Sequence, residues 1–410
     1  MVNMKKALIS IMLLFILSSG LFTAVLNSSV SATDIVENSW NTKAPMNYPR
    51  HNFGIVTVGG KIYAIGGDQL SPMVSVTRVD FNERYDPKTN KWTILEPMPT
   101  PSMGFSTVAN DGKIYCIGRE LTQVYDIAAN KWSTKTSYPS SNAPIGAHVV
   151  DGKIFVILSS INPSDGCEVY LYDHVSDSWT AKNRLPNEAL IVTSFVMDKK
   201  LIVTGIFKAP NDAMDAKALV YDPNADKWSE WQTISKLFGS SVVVTSGIYA
   251  PQKLYIPQTL NRTAQYIDLA ALDIDIFSQY NMTEINITEL STYTEVYDPV
   301  SNTWVNGTGV PTSRMTPGIV VVDDVLYIIG GVNHGESLTV NEQYIPFGYH
   351  GTLPSAWFSL DNTQLLATLA VTAIVIVMVV LLLFLFFFRK KEKQVKNDLD
   401  NSSNSSTELT

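Results

Sequence analysis

The stretch Tyr85-Asp86-Pro87-Lys88-Thr89-Asn90-Lys91-Trp92 decides the fold of this chain, because its pattern returns four more times. In each copy Tyr-Asp is followed by Asn or Asp, and a Trp stands seven residues after the Tyr. The tyrosines are Tyr85, Tyr125, Tyr172, Tyr221 and Tyr297, and the tryptophans are Trp92, Trp132, Trp179, Trp228 and Trp304. Self-similarity at a fixed spacing is the signature of a repeat architecture.

A hairpin pattern precedes these motifs. Apolar runs such as 53–58 and 62–65 are separated by Gly-Gly, and the corresponding turns at 111–112 and 151–152 are Asp-Gly. Such pairs tolerate the positive φ of a two-residue β-turn. Each repeat therefore predicts four antiparallel strands, A to D, with strand A innermost, strand C ending at the Tyr and strand D beginning near the Trp. The Asp and Asn suit the C–D turn, and the large rings are expected to fill the space between stacked sheets.

The two ends of the repeat region predict a closed ring. A sixth repeat contains Gly330-Gly331 and Tyr344 but no following Asn-x-Trp, whereas Asn38-Ser39-Trp40 is an Asn-x-Trp without a preceding Tyr-Asp. We expect the strand around Trp40 to complete the sixth sheet, because closure removes exposed sheet edges. The prediction is an all-β, six-bladed β-propeller closed by an N-terminal strand, with sheets that stack radially because none can bury both faces alone.

The repeats resemble the kelch family, both in the Gly-Gly that ends strand B and in the Tyr and Trp that follow. The resemblance covers about residues 34–348, but Gly-Gly is intact only in the first and last repeats and becomes Gly118-Arg119 in the second. It implies a kelch-type propeller that binds a partner. Galactose oxidases share this architecture, but their paired Tyr and His copper ligands have no match here. Sialic-acid mutarotases, which are exported six-bladed kelch proteins, make a sugar-acting enzyme the leading alternative.

Two apolar segments predict export and a membrane anchor. Residues 1–32 combine Lys5-Lys6 with an apolar run and read as a signal peptide, with an uncleaved N-terminal anchor as the alternative. Residues 365–388 carry no charge and are long enough for a transmembrane helix. Basic residues follow it and indicate the cytoplasmic side. We therefore expect a single-pass type I cell-membrane protein with a propeller (33–348) outside the cell, a stalk (349–364) and a cytoplasmic tail (389–410).

Composition argues against several classes of function. The formal net charge of −8 argues against binding to a nucleic-acid backbone. The five histidines show no metal-ligand spacing, so we predict no catalytic residue, no metal and no cofactor. The only cysteines, Cys116 and Cys167, belong to different predicted blades, which favours free thiols over a disulfide.

The strand order gives the predicted propeller two different ends. The A–B and C–D turns, such as 59–60 and 87–90, lie on one end, which we call the turn face. The B–C and D–A loops, such as 68–79 and 159–166, lie on the other end, the loop face, and these long loops are the candidate binding surface. Residues in the D–A loops and the start of strand A are candidate ligand-binding residues: Arg50, His51, Asn52, Ser102, His148, Arg314 and Thr316.

The resemblance implies that Pro49-Arg50-His51-Asn52-Phe53-Gly54 lines a pocket, with Asn52 pointing inward. In the alternative interpretation, Arg50 and Arg314 only bond loop carbonyls. A sugar-acting enzyme needs clustered Arg and Glu, for which Arg50, Arg314 and Glu188 are the available residues.

The fifth repeat carries an insertion at about 259–291. It contains three Asn-x-Thr sequons and a fourth lies nearby, so the candidate glycosylation sites are Asn261, Asn281, Asn286 and Asn306. The insertion is acidic, but its carboxylate spacing fits no EF-hand. The leading functional hypothesis is a cell-surface module that recognises a protein or glycan through the loop face. The alternatives are a mutarotase- or epimerase-like enzyme and a structural component of a cell envelope.

Overall fold

The computed structural model describes residues 35–71, 74–159, 167–185, 189–208, 214–231, 242–257 and 293–351, and also 389, 391, 393 and 395. The expected signal peptide, the insertion with Asn261, Asn281 and Asn286, most of the stalk and the segment 365–388 lie outside these residues. Beyond the propeller, Arg389, Lys391, Lys393 and Val395 are helical and exposed. No helix among the described residues is long and apolar enough to span a bilayer.

Strands account for nearly all the regular structure of the described residues between 35 and 351. The first fourteen are β1 (Ser39–Lys43), β2 (Gly54–Val58), β3 (Lys61–Ile65), β4 (Asp68–Ser71), β5 (Val74–Arg78), β6 (Asn82–Asp86), β7 (Lys91–Ile94), β8 (Ser106–Asn110), β9 (Lys113–Ile117), β10 (Thr122–Asp126), β11 (Lys131–Lys135), β12 (Ala143–Val150), β13 (Lys153–Ser159) and β14 (Cys167–Asp173). The others are β15 (Ser178–Ala181), β16 (Ala189–Met197), β17 (Lys200–Lys208), β18 (Met214–Asp222), β19 (Lys227–Glu230), β20 (Val243–Val244), β21 (Leu254–Pro257), β22 (Thr294–Asp298), β23 (Thr303–Gly307), β24 (Gly318–Val322), β25 (Val325–Ile329), β26 (Val332–Asn333), β27 (Glu336–Ser337) and β28 (Asn341–Ile345).

Within the described residues, the strands form six four-stranded antiparallel sheets in the predicted A-B-C-D order. They are blade 1 (β2-β3-β6-β7), blade 2 (β8-β9-β10-β11), blade 3 (β12-β13-β14-β15), blade 4 (β16-β17-β18-β19), blade 5 (β20-β21-β22-β23) and blade 6 (β24-β25-β28-β1). Neighbouring A strands contact one another around the ring, from β2 to β8 and onward until β24 meets β2 again. The six-bladed propeller predicted from the repeats is confirmed.

The ring is closed by the N-terminal strand. β1 pairs antiparallel with β28, and Trp40 lies opposite Tyr344 in the register that the other blades use for their Tyr and Trp. Their ring centroids are 4.9 Å apart. Strand D of blade 6 therefore comes from the start of the propeller sequence, as the unmatched Asn-x-Trp predicted.

The tight turns follow from residues that tolerate a left-handed backbone. Gly59 and Gly60 have φ values of 57° and 71°, and Asp111 and Gly112 have 48° and 70°, so both central residues of these A–B turns have positive φ. The Asn or Asp that stands two residues before each motif Trp is also left-handed. These residues are Asn38, Asn90, Asn130, Asp177, Asp226 and Asn302, with φ between 51° and 55°. Asn and Asp adopt this conformation more readily than other side chains, which explains their choice here.

In the part of the chain that the structure describes, five of these motifs, those with Trp40, Trp92, Trp132, Trp179 and Trp228, also form hydrogen bonds to the neighbouring blade. In blade 1 the indole N–H of Trp92 donates to the carbonyl of Ala44 at 2.8 Å, and the N–H of Ala44 donates to Asn90 Oδ1 at 2.8 Å. The Tyr85 hydroxyl donates to the same Oδ1 at 2.8 Å. Ala44 directly follows β1 of blade 6, so the contact joins two blades. We call this arrangement the blade clamp.

The blade clamp recurs around the ring. The other peptide groups held in this way belong to Glu96, Thr136, Asn183 and Thr308, each just after strand D of a blade. The sequence had suggested only that the Asn or Asp forms a turn and that the rings fill space. The sequence did not predict that the Asn or Asp also links two blades by a hydrogen bond, because its partner is a backbone group of the neighbouring blade.

The apolar core lies between blades. One cluster joins Ile62 and Tyr85 of blade 1 to Tyr327 and Ile329 of blade 6. Cys116 and Cys167 belong to two further clusters, and both cysteines are buried and free. Burial raises the pKa of both thiols, that of Cys167 to about 12. Each blade thus buries its faces against its neighbours, as the radial-stacking argument requires.

Candidate functional site

Arg50 and Arg314, two of the candidate ligand-binding residues, are completely buried in blades 1 and 6. Arg50 Nη2 contacts Glu83 Oε2 at 2.7 Å and donates to the Ala64 carbonyl at 3.2 Å, and Nη1 donates to the Phe81 carbonyl at 2.9 Å. Its guanidinium also lies 5.5 Å from the centre of the Phe53 ring. Burial lowers the pKa of Arg50 to about 10, an effect that Glu83 partly opposes.

Arg314 repeats this arrangement in blade 6. It forms an ion pair with Glu342 and donates from Nε to the Thr312 carbonyl at 3.0 Å. Its pKa is lowered by burial, with Glu342 acting in the opposite direction. The interpretation in which both arginines bond loop carbonyls therefore describes them better than a role in lining an open pocket. Their buried side chains hold the D–A loops against strand C of each blade.

A signal for the glutamate partners was present in the repeats. Glu83 and Glu342 each stand two residues before the strand-C tyrosine, in the two blades that have both an arginine and Gly-Gly. In blade 2 the equivalent positions carry Gln123 and Ser102, and Gln123 Nε2 donates to Ser102 Oγ at 3.2 Å. The pairing of a D–A loop residue with strand C is thus kept while its chemistry changes from an ion pair to a neutral hydrogen bond.

The Gly-Gly pairs let the loops approach closely. A Cβ on Gly67, whose φ is +99°, would lie 2.6 Å from the His51 carbonyl oxygen, and one on Gly66 would lie 2.7 Å from that of Ser102. Gly67 N–H donates to the Ser102 carbonyl at 2.8 Å. Gly331 donates in the same way to Arg50 at 3.0 Å. The glycines of one blade therefore leave room for the D–A loop of the next blade, and their N–H groups donate hydrogen bonds to it.

A group of polar residues, which we call the ledge, lies above the buried arginines on the loop face. It consists of His51, Asn52, Asp68 and Ser337. His51 and Asp68 exchange two backbone hydrogen bonds of 2.9 Å. Ser337 Oγ accepts from the Leu70 N–H at 2.9 Å and lies 2.9 Å from His51 Nδ1. The hairpins β4–β5 and β26–β27 thereby meet at the ledge.

Asp68 is the least satisfied polar group of the ledge. It is nearly fully buried, and its Oδ1 has no hydrogen-bond partner among the residues that the structure describes. Burial raises the pKa of this carboxyl, while His51, a hydrogen bond from Asn52 and Arg78 act against the rise. Burial likewise lowers the pKa of His51, opposed by Asp68. A buried acceptor without a partner costs free energy unless a donor reaches it.

Two further candidates, Ser102 and Thr316, border the ledge. Asn52 N–H donates to the Thr316 carbonyl at 3.1 Å, and its side-chain amide lies 3.1 Å from the Met103 sulfur. Ser102 precedes Met103 in the D–A loop of blade 2. Thr316 and Met103 are exposed to solvent. Blades 1, 2 and 6 thus bring together Asn52, His51, Ser102 and Thr316, while Met103, Asp68 and Ser337 are members that the sequence did not suggest.

His148 lies elsewhere in the propeller. It belongs to β12 of blade 3, and its Nε2 is 2.9 Å from Ser194 Oγ in β16 of blade 4. Burial lowers its pKa to about 4. Asn306 is exposed on β23, so this sequon is accessible, and its Thr308 is part of a blade clamp. Among the described residues, no group of three or more His, Cys, Asp or Glu side chains is placed to hold a metal ion.

Comparison with known proteins supplies the family. The Kelch motif family model matches residues 49–99, which run from the D–A loop before blade 1 into the D–A loop that follows its strand D. This chain is a kelch-repeat protein. The Tyr–Trp register continues through the other five blades, whereas Gly-Gly recurs only in blade 6.

Similar proteins share short stretches of this kelch chain. Human Kelch-like protein 28 is 35% identical over 103 residues, which are 24% of this chain and 18% of that protein. An F-box/kelch-repeat protein of Arabidopsis thaliana is 35% identical over 85 residues, or 20% of this chain and 19% of that protein. The matches thus span less than a fifth of these relatives' length. The solved structure of YjhT matches with a TM-score of 0.50 at 15% identity, covering 73% of this chain and 95% of that chain, which supports the fold alone.

Proposed function

We propose that this kelch protein is a single-pass membrane protein whose propeller lies outside the cell and binds a protein partner at the ledge. A glycan partner is the second candidate, because the amide of Asn52 and the hydroxyl of Thr316 can also bond to sugar hydroxyls. The observation that carries the proposal is the group of solvent-accessible side chains Asn52, Met103 and Thr316, which blades 1, 2 and 6 bring together beside the buried Asp68.

The rigidity of the surroundings supports a binding role. Arg50 and Arg314 fix two D–A loops from inside, and the Gly-Gly pairs seat these loops against neighbouring blades. A loop fixed in advance loses less entropy when it binds. Met103 adds an exposed apolar contact next to the polar ledge, the combination that protein interfaces favour.

The same observations weigh against a sugar-acting enzyme. Both arginines that such a site would use are buried and paired with Glu83 and Glu342, so they are not presented to a substrate. Glu188, the remaining candidate, lies outside the described residues. The module therefore binds through neutral and acidic groups rather than through an arginine cluster.

The cellular location rests on the sequence. The basic and apolar residues 1–32, the uncharged segment 365–388 and the basic residues after it support export and a type I orientation. Protease protection tests this orientation in intact cells. External protease should remove the propeller and leave a short fragment with the tail, and glycosidase should shift the mass if the sequons are used. A propeller that is protected in intact cells and digested only after lysis contradicts the external location.

Binding is tested with the full chain held in nanodiscs. Peptides displayed on phage and an array of immobilised glycans are the two probes, read in parallel. Asn52→Gly and Thr316→Gly each remove a side chain while keeping a positive φ, 51° and 44° in the native chain. Asp198→Gly, at φ 50° on the turn face, is the matched control.

The outcomes separate the candidates. Selected peptides should bind about tenfold more weakly to the two loop-face variants, a loss of about 1.4 kcal/mol, and equally well to the control. Binding to glycans alone supports the second candidate. If peptides or glycans bind both loop-face variants as tightly as they bind the native chain, the ledge is not the binding site.

A further inference from the structure

Both ends of the propeller's chain emerge on the turn face. Residues 35–38 precede β1, and the Asn38 N–H donates to the Ile345 carbonyl at the end of β28 at 2.8 Å. The Gly348 N–H then donates to Glu37 Oε2 at 2.7 Å. The chain thus enters and leaves side by side, at the end opposite the ledge.

A loop of blade 5 lies directly beside this exit. The His350 N–H donates to the Tyr249 carbonyl at 2.8 Å, and a Cβ on Gly348 would lie 2.9 Å from Pro251 Cδ. This loop, residues 245–253, connects β20 to β21 and replaces the two-residue turn that the other A–B connections use. The exit and the loop together form one continuous part of the turn face.

Asp324 holds the loop in a fixed conformation. This buried residue of the blade 6 A–B turn accepts hydrogen bonds from the N–H groups of Ile248 at 3.0 Å, Tyr249 at 2.6 Å and Ala250 at 3.1 Å, and also from Ser246. Burial alone raises the pKa of this carboxyl, but these backbone donors lower it overall. A carboxylate that satisfies several N–H groups makes the loop rigid and leaves its side chains to point where the backbone places them.

The side chains that this loop presents are apolar. Ile248 is 66% exposed and Tyr249 38% exposed, and Val36, next to Glu37 at the chain entry, is 66% exposed. Val300, in the C–D turn of the same blade 5, is also highly exposed. Scattered exposed apolar residues are ordinary on a soluble surface. Here they lie on the face from which the chain continues toward the uncharged segment 365–388.

We propose that Ile248, Tyr249 and Val36 form a lipid-contacting patch that rests on the outer surface of the bilayer. The inference depends on the proposed function, because it requires the membrane span. Residues 352–364 join the exit to that span, a chain that reaches roughly 45 Å at most when extended. A tether of this length lets the turn face reach the membrane surface. Tyr suits the headgroup region because its ring is apolar and its hydroxyl polar. The ledge then faces away from the membrane, toward a partner.

The test uses the full chain in liposomes of phosphatidylcholine. Ile248→Cys carries an environment-sensitive fluorophore, and Val76→Cys, an exposed apolar position on the loop face, is the matched control. The native cysteines are buried, so the unsubstituted chain should remain unlabelled. Lipids with a nitroxide near the headgroup quench only fluorophores at the bilayer surface.

The expected result is quenching several-fold stronger at position 248 than at position 76. Equal quenching at both positions, or none at 248, overturns the lipid contact. Shielding of the fluorophore at 248 without quenching by lipid indicates that protein covers the patch, which also overturns it. Extraction with alkaline carbonate is measured in parallel. A chain that is extracted has no membrane span, which overturns the proposed membrane location, whereas a chain that resists extraction but shows no quenching overturns the patch alone.

Discussion

The Tyr344 hydroxyl donates a hydrogen bond of 2.8 Å to Asn38 Oδ1, although 306 residues separate them in the chain. Asn38 Oδ1 also accepts from the Thr308 N–H at 2.6 Å. One side-chain oxygen thus links the N-terminal strand, the last strand and blade 5. This blade clamp holds the ring closed, and it makes the stability of the whole propeller depend on a residue near its beginning.

Replacing Asn38 tests the closing clamp. Asn38→Gly keeps the left-handed backbone but removes the acceptor, and we expect it to lower the free energy of unfolding by about 1–2 kcal/mol. Asn38→Asp is the matched control, because blades 3 and 4 already use Asp177 and Asp226 at this position, and it should unfold like the native chain near neutral pH. Urea unfolding measures both. Equal losses in the two variants contradict the importance of the acceptor.

Replacing Glu83 tests the buried ion pair. Glu83→Gln leaves the Arg50 cation without its counter-charge, and we expect a loss of about 3–5 kcal/mol in the free energy of unfolding. Glu230→Gln breaks the exposed pair with Lys217, 3.3 Å apart, and should cost less than about 1 kcal/mol. Chemical unfolding compares the two. Similar small losses in both variants show that Arg50 is not anchored by charge.

Replacing Gly67 tests the seating of the D–A loops. Gly67→Ala and Gly60→Ala both place a Cβ on a positive-φ backbone, but only at Gly67 does the new carbon meet a neighbour, the His51 carbonyl, within 4 Å. We expect Gly67→Ala to be less stable than Gly60→Ala by about 1–3 kcal/mol, since overpacking adds to the shared backbone strain. Thermal unfolding measures the difference. Equal melting temperatures contradict the close approach.

Acid should weaken the propeller through His148. Its pKa is about 4 in the fold, because burial disfavours the charged imidazole, whereas an unfolded histidine titrates near pH 6.5. The unfolded chain therefore binds more protons between these values. The stability that His148 contributes is complete above about pH 6.5 and is lost as the pH falls toward 4.

His148→Gln removes this titration and can keep the hydrogen bond to Ser194. We expect its free energy of unfolding, measured with urea, to change less between pH 7 and 4.5 than that of the native chain. His51 also has a lowered pKa but is present in both proteins, so the comparison isolates His148. Identical pH profiles contradict the prediction.

Much of the fold was predictable because its determinants are local. The seven-residue step from Tyr85 to Trp92 sets the C–D hairpin, and Asp111-Gly112 or Gly59-Gly60 sets the A–B turn. Five copies of these signals fix five blades. The orphan Asn38-Ser39-Trp40 then required a partner strand, and only the end of the sixth repeat lacked one.

The candidate site was less predictable because its residues act across blades. The sequence predicted that Arg50 binds a ligand, but in the structure Arg50 is paired with Glu83, which lies on another strand. The sequence does not indicate Met103, since its proximity to Asn52 depends on how blade 2 lies beside blade 1. Asp324 looked like one of several turn residues, and its hold on the blade 5 loop depends on the packing of two neighbouring blades.

The sequence by itself determined the number of blades, their strand order and the closure of the ring, because turn chemistry and a repeated spacing are properties of short stretches. Only the tertiary structure decided which polar side chains are buried as anchors and which remain open to a partner. That division depends on which carbonyls, carboxylates and glycines of neighbouring blades surround each side chain, and no spacing along the chain specifies those neighbours.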